Sequence, residues 1–509
     1  MIHRAFYLPE PPLAFGHGQC LEAPKDGLFL FGPFEDAGGR REVRLGFIGT
    51  EAGAGLLRAW LAKMRGWIGP PLNRQGAETT WAPPWPGFEA VFGLALPDRP
   101  MAEITLDGVE IDAAIKRSNR SDAVRTTVKL YADAIRRHRT TEERQPDVWV
   151  AVIPDVVFRY GRPAVAPPPR AERTASTIIS SRAAKAFYER GDLFPETMGD
   201  AEVYLFANNF HHQLKAELLA DRVALQLILE RTLQDRALDN RPGSRGLQDE
   251  ATVAWNFATT LYFKMDAKPW ALANVRPGVC YVGLVFKNDE TPAAKGEACC
   301  AAQMFLNSGD GLVFRGALGP WYSDENREYH LSSKAAGELM ASVIAGYKDK
   351  HGRAPSQLFI HGRHRFSRQE WEGFKSAVPP DTELVGVRIR PGDEMRLFRP
   401  GASTPVLRGT AVALDERQAL LWTRGYVPRL ATYPGFETPK PLSVEVTHGK
   451  ADLEQVLGDV LALTKVNYNA CDFASGIPVT LRFADRVGEI LMASPRTAEA
   501  PPLPFRYYI

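Results

Sequence analysis

Long apolar runs are missing from this sequence: nothing approaches the roughly 18 uninterrupted apolar residues that a bilayer-spanning helix needs. The start, MIHRAFYLPEPPLAF, also lacks the basic, apolar and small-residue sections of a secretory signal. A cytoplasmic protein without membrane contact is therefore expected. Cysteine is scarce as well. Cys20, Cys280, Cys299, Cys300 and Cys471 form no CxxC pair and no Cys/His metal spacing, and an odd, scattered set argues against a disulfide framework; they read as small core residues. Net charge is nearly absent too, since 62 Lys and Arg against 60 Asp and Glu leave +2. The whole chain thus shows no overall basicity of the kind that marks a nucleic-acid binder. Positive charge gathers only locally, in KRSNRSDAVRTTVK, RRHR and HGRHRFSR, and each of these alone reads as a solvated face.

What is present is layering. With 509 residues, the chain is expected to fold as about two to four domains. In the first half, VRLGFIGT reads as a strand and EAGAGLLRAWLAKMRGW as the helix after it. The junction GTEAGAG lacks the GxGxxG register and no Lys-Ser or Lys-Thr follows, which speaks against a phosphate loop. Helices follow between about Asp112 and Arg139, DVWVAVIP is a second buried strand, AEVYLF a third short one, and ATVAWNFATTLYFKM a further helix. From RPGVCYVGLVFK the rhythm changes to hairpins, of which CCAAQMFLNSGDGLVFRGAL and VLRGTAVALDERQALLWTRG are the clearest. A helix from Ser332 to Lys350, the strand QLFIHG, the helix SRQEWEGFKSAV and the strand ELVGVRIR lie between them, and helices at about Ala451 to Thr464 and Leu481 to Met492 close the chain. A five-element mixed sheet backed by helices is an RNase H-like layout. The fold class is α/β, a Rossmann-like domain over 1–274 with an N-terminal extension and an RNase H-like domain over 275–509, the boundary falling near Val275.

One stretch, FANNFHHQLKAELLADRVALQLILERTL, carries more than amphipathic patterning. His211 and Lys215 are one turn apart, so they share a face near a helix start, where unpaired N–H groups and the helix dipole favour an anion. Gln226 is expected on a following turn or helix that folds back, and Lys264 ends the next helix. A phosphate needs several donors converging from different directions, and this set supplies them with no acceptor-only group to repel it. Each charge-assisted bond contributes roughly 1.5–3 kcal/mol, so four outweigh the cost of collecting the cations.

HxxxK, Gln eleven residues on, and then Lys ahead of a KPW turn resembles the 5′-phosphate pocket in the MID domain of prokaryotic Argonautes. KDGLFLFGPF, PGFEAVFG, RPGVCYVGLVFK, LALTKVNYNAC, PVTLRFADRVGEIL and PPLPFRYYI extend the resemblance over essentially the whole chain, most closely to short Argonautes made of MID and PIWI alone. The resemblance implies that His211, Lys215, Gln226 and Lys264 hold a guide's 5′-phosphate and that Asn256 adds a polar contact. It implies that the terminal carboxylate of Ile509 shares Mg²⁺ with the guide phosphates, an ion that bridges anions which otherwise repel. Lys465 and Arg482 would touch the guide backbone. A cleaving PIWI centre needs an acidic cluster for two metal ions. Here the first position is Val285 and the second Arg363, which leaves Asp485 as a single surviving carboxylate. The resemblance therefore implies a catalytically inactive module that holds guide RNA, pairs it with single-stranded target DNA, and activates an APAZ-fused effector, a TIR NADase, in a heterodimer that oligomerises during defence against plasmids or phage. The alternatives are a guide-directed nuclease with displaced carboxylates and an unrelated small-molecule α/β enzyme.

Overall fold

The computed structural model describes residues 4–71, 82–163, 165–190, 200–234, 248–274, 276–288, 298–306, 311–318, 321–323, 328–393, 395–398, 400–433, 435, 437–493 and 503–509. LGFIG and VWVAVI contain no polar alternation, as strands covered on both faces require. Both are fully buried, as Leu45–Gly49 and Val148–Ile153, and pair in parallel. Ala102–Thr105 flanks the first and Leu225–Leu229 the second, completing a parallel sheet of four strands.

Two local expectations are corrected here. The segment AEVYLF is not a strand, since Val203–Leu205 is a 3₁₀ turn. Nor does Gln226 lie on a following turn or helix. The helix bearing His211 stops at Leu218, Arg222 takes a left-handed backbone (φ 51), and the chain re-enters the sheet as Leu225–Leu229, so Gln226 stands on a strand. A left-handed residue cannot continue an α-helix, and LQLIL has the short apolar pattern of an edge strand. At GTEAGAG the helix Glu51–Arg65 begins, and Thr50 accepts the Gly53 N–H at 3.0 Å while donating its hydroxyl to Glu230 at 2.7 Å. A carboxylate therefore already occupies that helix end.

The second sheet is larger than the five elements expected. It has ten strands, ordered Arg4–Tyr7, Thr410–Ala413, Gln418–Leu421, Leu442–His448, Glu383–Pro391, Gln357–Gly362, Val279–Asn288, Ala298–Leu306, Gly311–Leu318 and Leu503–Pro504. The pairs that Gln357–Gly362 makes with Val279–Asn288 and Glu383–Pro391 are parallel and the rest antiparallel. Both expected hairpins form, with Ala298–Leu306 against Gly311–Leu318 and Thr410–Ala413 against Gln418–Leu421. Val275 lies outside the described residues. The N-terminal strand Arg4–Tyr7 joins the sheet of the C-terminal half.

That crossing is fixed by charge. Glu10 accepts from Arg408 at 2.8 Å and from Lys465 at 2.7 Å. Burial alone would raise the Glu10 carboxyl, but the two cations hold it below its ordinary value. Lys465 was expected on the guide backbone. Instead its side chain is 0% exposed, held by Glu10 and by the Glu22 carbonyl at 2.7 Å, so it offers no surface to a phosphate. Burial lowers its pKa to about 8. Cys280 and Cys471 are core residues as expected, whereas Cys20 is exposed; the side chains of Cys299 and Cys300 lie outside the described residues. Among the described residues no helix is long and apolar enough to cross a membrane.

Candidate functional site

The helix Phe210–Leu218 opens on Asn209, whose side chain accepts the His212 N–H at 3.3 Å, and its first turn contains no acid. His211 and Lys215 project from one face into a cavity of about 420 Å³. The strand Leu225–Leu229 adds Gln226, the helix Val479–Leu491 adds Arg486 and Glu489, and Asn469, Tyr508 and Ile509 close the wall. Lys264 lies beneath, 1% exposed at the end of Glu250–Lys264, and donates to the Leu225 carbonyl at 2.9 Å and to the terminal oxygen of Ile509. Lys215 donates to the Tyr508 carbonyl at 3.2 Å. The two lysines thus fasten the last residues of the chain into the socket.

Three helices, carrying His211 with Lys215, Lys264, and Arg486, and the strand carrying Gln226 therefore supply the donors, while the chain end contributes acceptor oxygens. The cations stand close together with little acid between them. Burial first, and the Arg486 guanidinium second, push Lys215 down to about 7. Burial and Lys215 depress Lys264 well below its ordinary value, and burial, with Lys215 as the largest charge, does the same to His211. Desolvated like charges of this kind favour an anion placed among them.

A pH dependence follows. The folded Lys215 value lies below its ordinary 10.5, so between about 7 and 10.5 the unfolded chain binds more protons and stability rises with pH. The depressed His211 contributes with the same sign below its ordinary 6.5. Urea unfolding of the guide-free protein should give a higher midpoint at pH 9 than at pH 7, and Lys215→Met should shrink the difference; equal midpoints in the parent chain would contradict the buried-cation assignment.

Asn256 does not reach the cavity. Its side-chain oxygen accepts the Cys471 N–H at 2.8 Å and its amide donates to Gln248 at 3.4 Å, so it braces the loop that carries Asn469 rather than meeting a phosphate. Arg482 stands one turn before Arg486 and outside the cavity wall, half-buried, with its pKa lowered by burial and by Arg486. Arg486, His212, Asn469 and Glu489 were not singled out from the sequence. Arg486 was findable, because it follows Arg482 by four residues in RFADRVGE and shares its face.

The second site singled out lies at the ends of the parallel strands. Register pairs Gly362 with Leu284, which brings Arg363 beside Val285, and Val285 is buried. The Arg363 guanidinium bonds Asp485, whose other oxygen takes Lys287 at 2.9 Å. Two cations thus face the one carboxylate. Among the described residues no group of three or more His, Cys, Asp or Glu is placed to hold a metal ion. At the socket, the Ile509 carboxylate and the amides of Gln226 and Asn469 suit a divalent cation only in the presence of further anionic oxygens, because Lys215, Lys264 and Arg486 surround them.

No protein-family model matches the chain. In sequence it is similar to the Argonaute of Aquifex aeolicus (strain VF5), 22% identical over 282 residues, which is 55% of this chain and 35% of that protein. In fold it is similar to Clostridium butyricum Argonaute bound to a guide DNA (5′ deoxycytidine) and a 19-mer target DNA, with TM-score 0.60 and 15% identity over 97% of this chain and 53% of that one. Drosophila Piwi gives TM-score 0.58 at 12% identity over 99% and 55%, and A. aeolicus Argonaute 0.53 at 14% over 99% and 55%. The chain spans 35% to 55% of the length of these proteins. The chain is thus similar in sequence to an Argonaute over about half of its length, and it shares a mixed α/β fold with Argonaute and Piwi structures.

Proposed function

We propose that this chain seats the 5′-phosphate of a short guide RNA in the socket and presents the guide to complementary single-stranded DNA without cutting it. The observation that carries this is the convergence of His211, Lys215, Gln226 and Arg486 on one cavity, above buried Lys264, with Glu489 the only side-chain carboxylate in its wall among the described residues. Lys215, Arg486 and the imidazoles would donate to the phosphate oxygens, and Gln226 would add a neutral donor. A Mg²⁺ held by the Ile509 carboxylate would bridge it to the guide phosphates. Pairing would read sequence while the protein reads backbone, as in other RNA-guided systems, and Arg482 would contact the guide beyond its first phosphate.

Inactivity is supported by Val285 and Arg363 where a metal centre needs acids, and by Arg363 and Lys287 on Asp485. On the resemblance to short Argonautes, target capture would shift the complex to a state that activates a cytoplasmic TIR-APAZ partner, which would degrade NAD⁺ after oligomerisation and so halt plasmid or phage invasion. The test is to load the chain with 5′-phosphorylated RNA, add labelled complementary DNA with Mg²⁺ or Mn²⁺, and follow both strands. Stable capture with both strands intact is expected, whereas guide-dependent products would establish the nuclease alternative.

A further inference from the structure

Among the described residues the socket contains one side chain of the wrong sign. Glu489 lines the cavity three residues after Arg486 on the helix Val479–Leu491, so a phosphate engaging Arg486 has this carboxylate one turn away. Its two oxygens face in different directions. One lies 3.6 Å from Nε2 of His212, inside the socket, and the other takes Lys287 at 3.2 Å, outside it. Lys287 is in turn shared with Asp485 at 2.9 Å, and Asp485 holds Arg363. Ion pairs thus run from Glu489 through Lys287 and Asp485 to Arg363 at the degenerate centre, and on its socket side Glu489 faces the His212 imidazole.

Resting on the socket reading above, we propose that Glu489 is a built-in competitor for the guide's terminal phosphate, stabilising the guide-free socket through His212 and restrained from entering further by Lys287. A like charge opposes the phosphate, while the same charge relieves the crowded cations when no guide is bound. Glu489 therefore sets stability and guide affinity against each other. Loading transfers His212 from carboxylate to phosphate and leaves Glu489 to Lys287.

The test compares Glu489→Gln, Lys287→Met and the double variant in the full chain, using one RNA with a 5′-phosphate or a 5′-hydroxyl. Exposed ion pairs of this kind correspond to factors of roughly two to five. Glu489→Gln should bind the 5′-phosphorylated RNA more tightly by about that factor, with little change for the 5′-hydroxyl RNA, and should melt at a lower temperature when guide-free. Lys287→Met should bind the phosphorylated RNA more weakly, and the double variant should behave like Glu489→Gln, because without the carboxylate there is nothing for Lys287 to restrain. Additive effects in the double variant, or weaker binding by Glu489→Gln, would overturn the competitor. Should the parent chain fail to distinguish the two RNAs, the socket itself is refuted; a parent that distinguishes them while Glu489→Gln changes nothing refutes only the role of Glu489.

Discussion

Replacing Lys215 and Lys264 together by Met should lower the affinity for a 5′-phosphorylated RNA by more than about a hundredfold and leave a 5′-hydroxyl RNA almost unaffected. Lys215 would contribute a charge-assisted hydrogen bond of roughly 1.5–3 kcal/mol, and Lys264, beneath the wall, adds positive charge and holds the Ile509 end that lines it; about 1.4 kcal/mol is a factor of ten. Both side chains are buried, at 7% and 1% exposure, so Met retains the packing of the stems. Removing Lys264 leaves the Ile509 terminal oxygen and the Leu225 carbonyl without their donor, which costs stability. Relief of two desolvated like charges offsets that cost, so the fold should persist. Fluorescence anisotropy with the two RNAs decides it: a double variant that still prefers the phosphorylated end would show that the anion is held elsewhere.

Deletion of Tyr508 and Ile509 should have the second largest effect, and on two properties at once. Both residues are buried, at 5% and 3% exposure, and their oxygens receive Lys215 and Lys264. Losing two large buried side chains costs about 2–5 kcal/mol each where the site does not collapse, so the unfolding midpoint should drop clearly. The same deletion removes the carboxylate proposed to share Mg²⁺ with the guide. Affinity for phosphorylated RNA should therefore fall by at least about tenfold and become indifferent to chelator, which should weaken binding by the intact chain. Unchanged affinity with an unchanged chelator response would remove Ile509 from the site.

Much of this was legible in the residue order, because the elements involved are governed by local rules. Uninterrupted apolar runs announced the buried strands Leu45–Gly49 and Val148–Ile153, and alternation around turn residues announced the hairpins. The spacing of His211 and Lys215 put them on one helix face, and the structure places both in the wall of one cavity. Long-range packing supplied what local rules could not. Nothing within LQLIL says that it is an edge strand rather than a helix turn, since that depends on the left-handed Arg222 and on Val148–Ile153 offering a pairing edge. Lys465 was placed on the guide backbone by the resemblance, and its burial could not be read from the sequence because its partner Glu10 is 455 residues away and only the fold of the N-terminal strand joins them. Asn256 faces Cys471 for a similar reason. Arg486 went unnoticed because a basic residue on an amphipathic helix is usually solvated, and its importance depends on where that helix docks.

The most direct measurement is equilibrium binding of a single short RNA to the intact chain with its 5′ end either phosphorylated or left as a hydroxyl, at fixed salt and Mg²⁺. A preference for the phosphate of at least roughly a hundredfold is expected from donors converging on the Lys215 and Lys264 socket. Equal affinities for the two ends would contradict it.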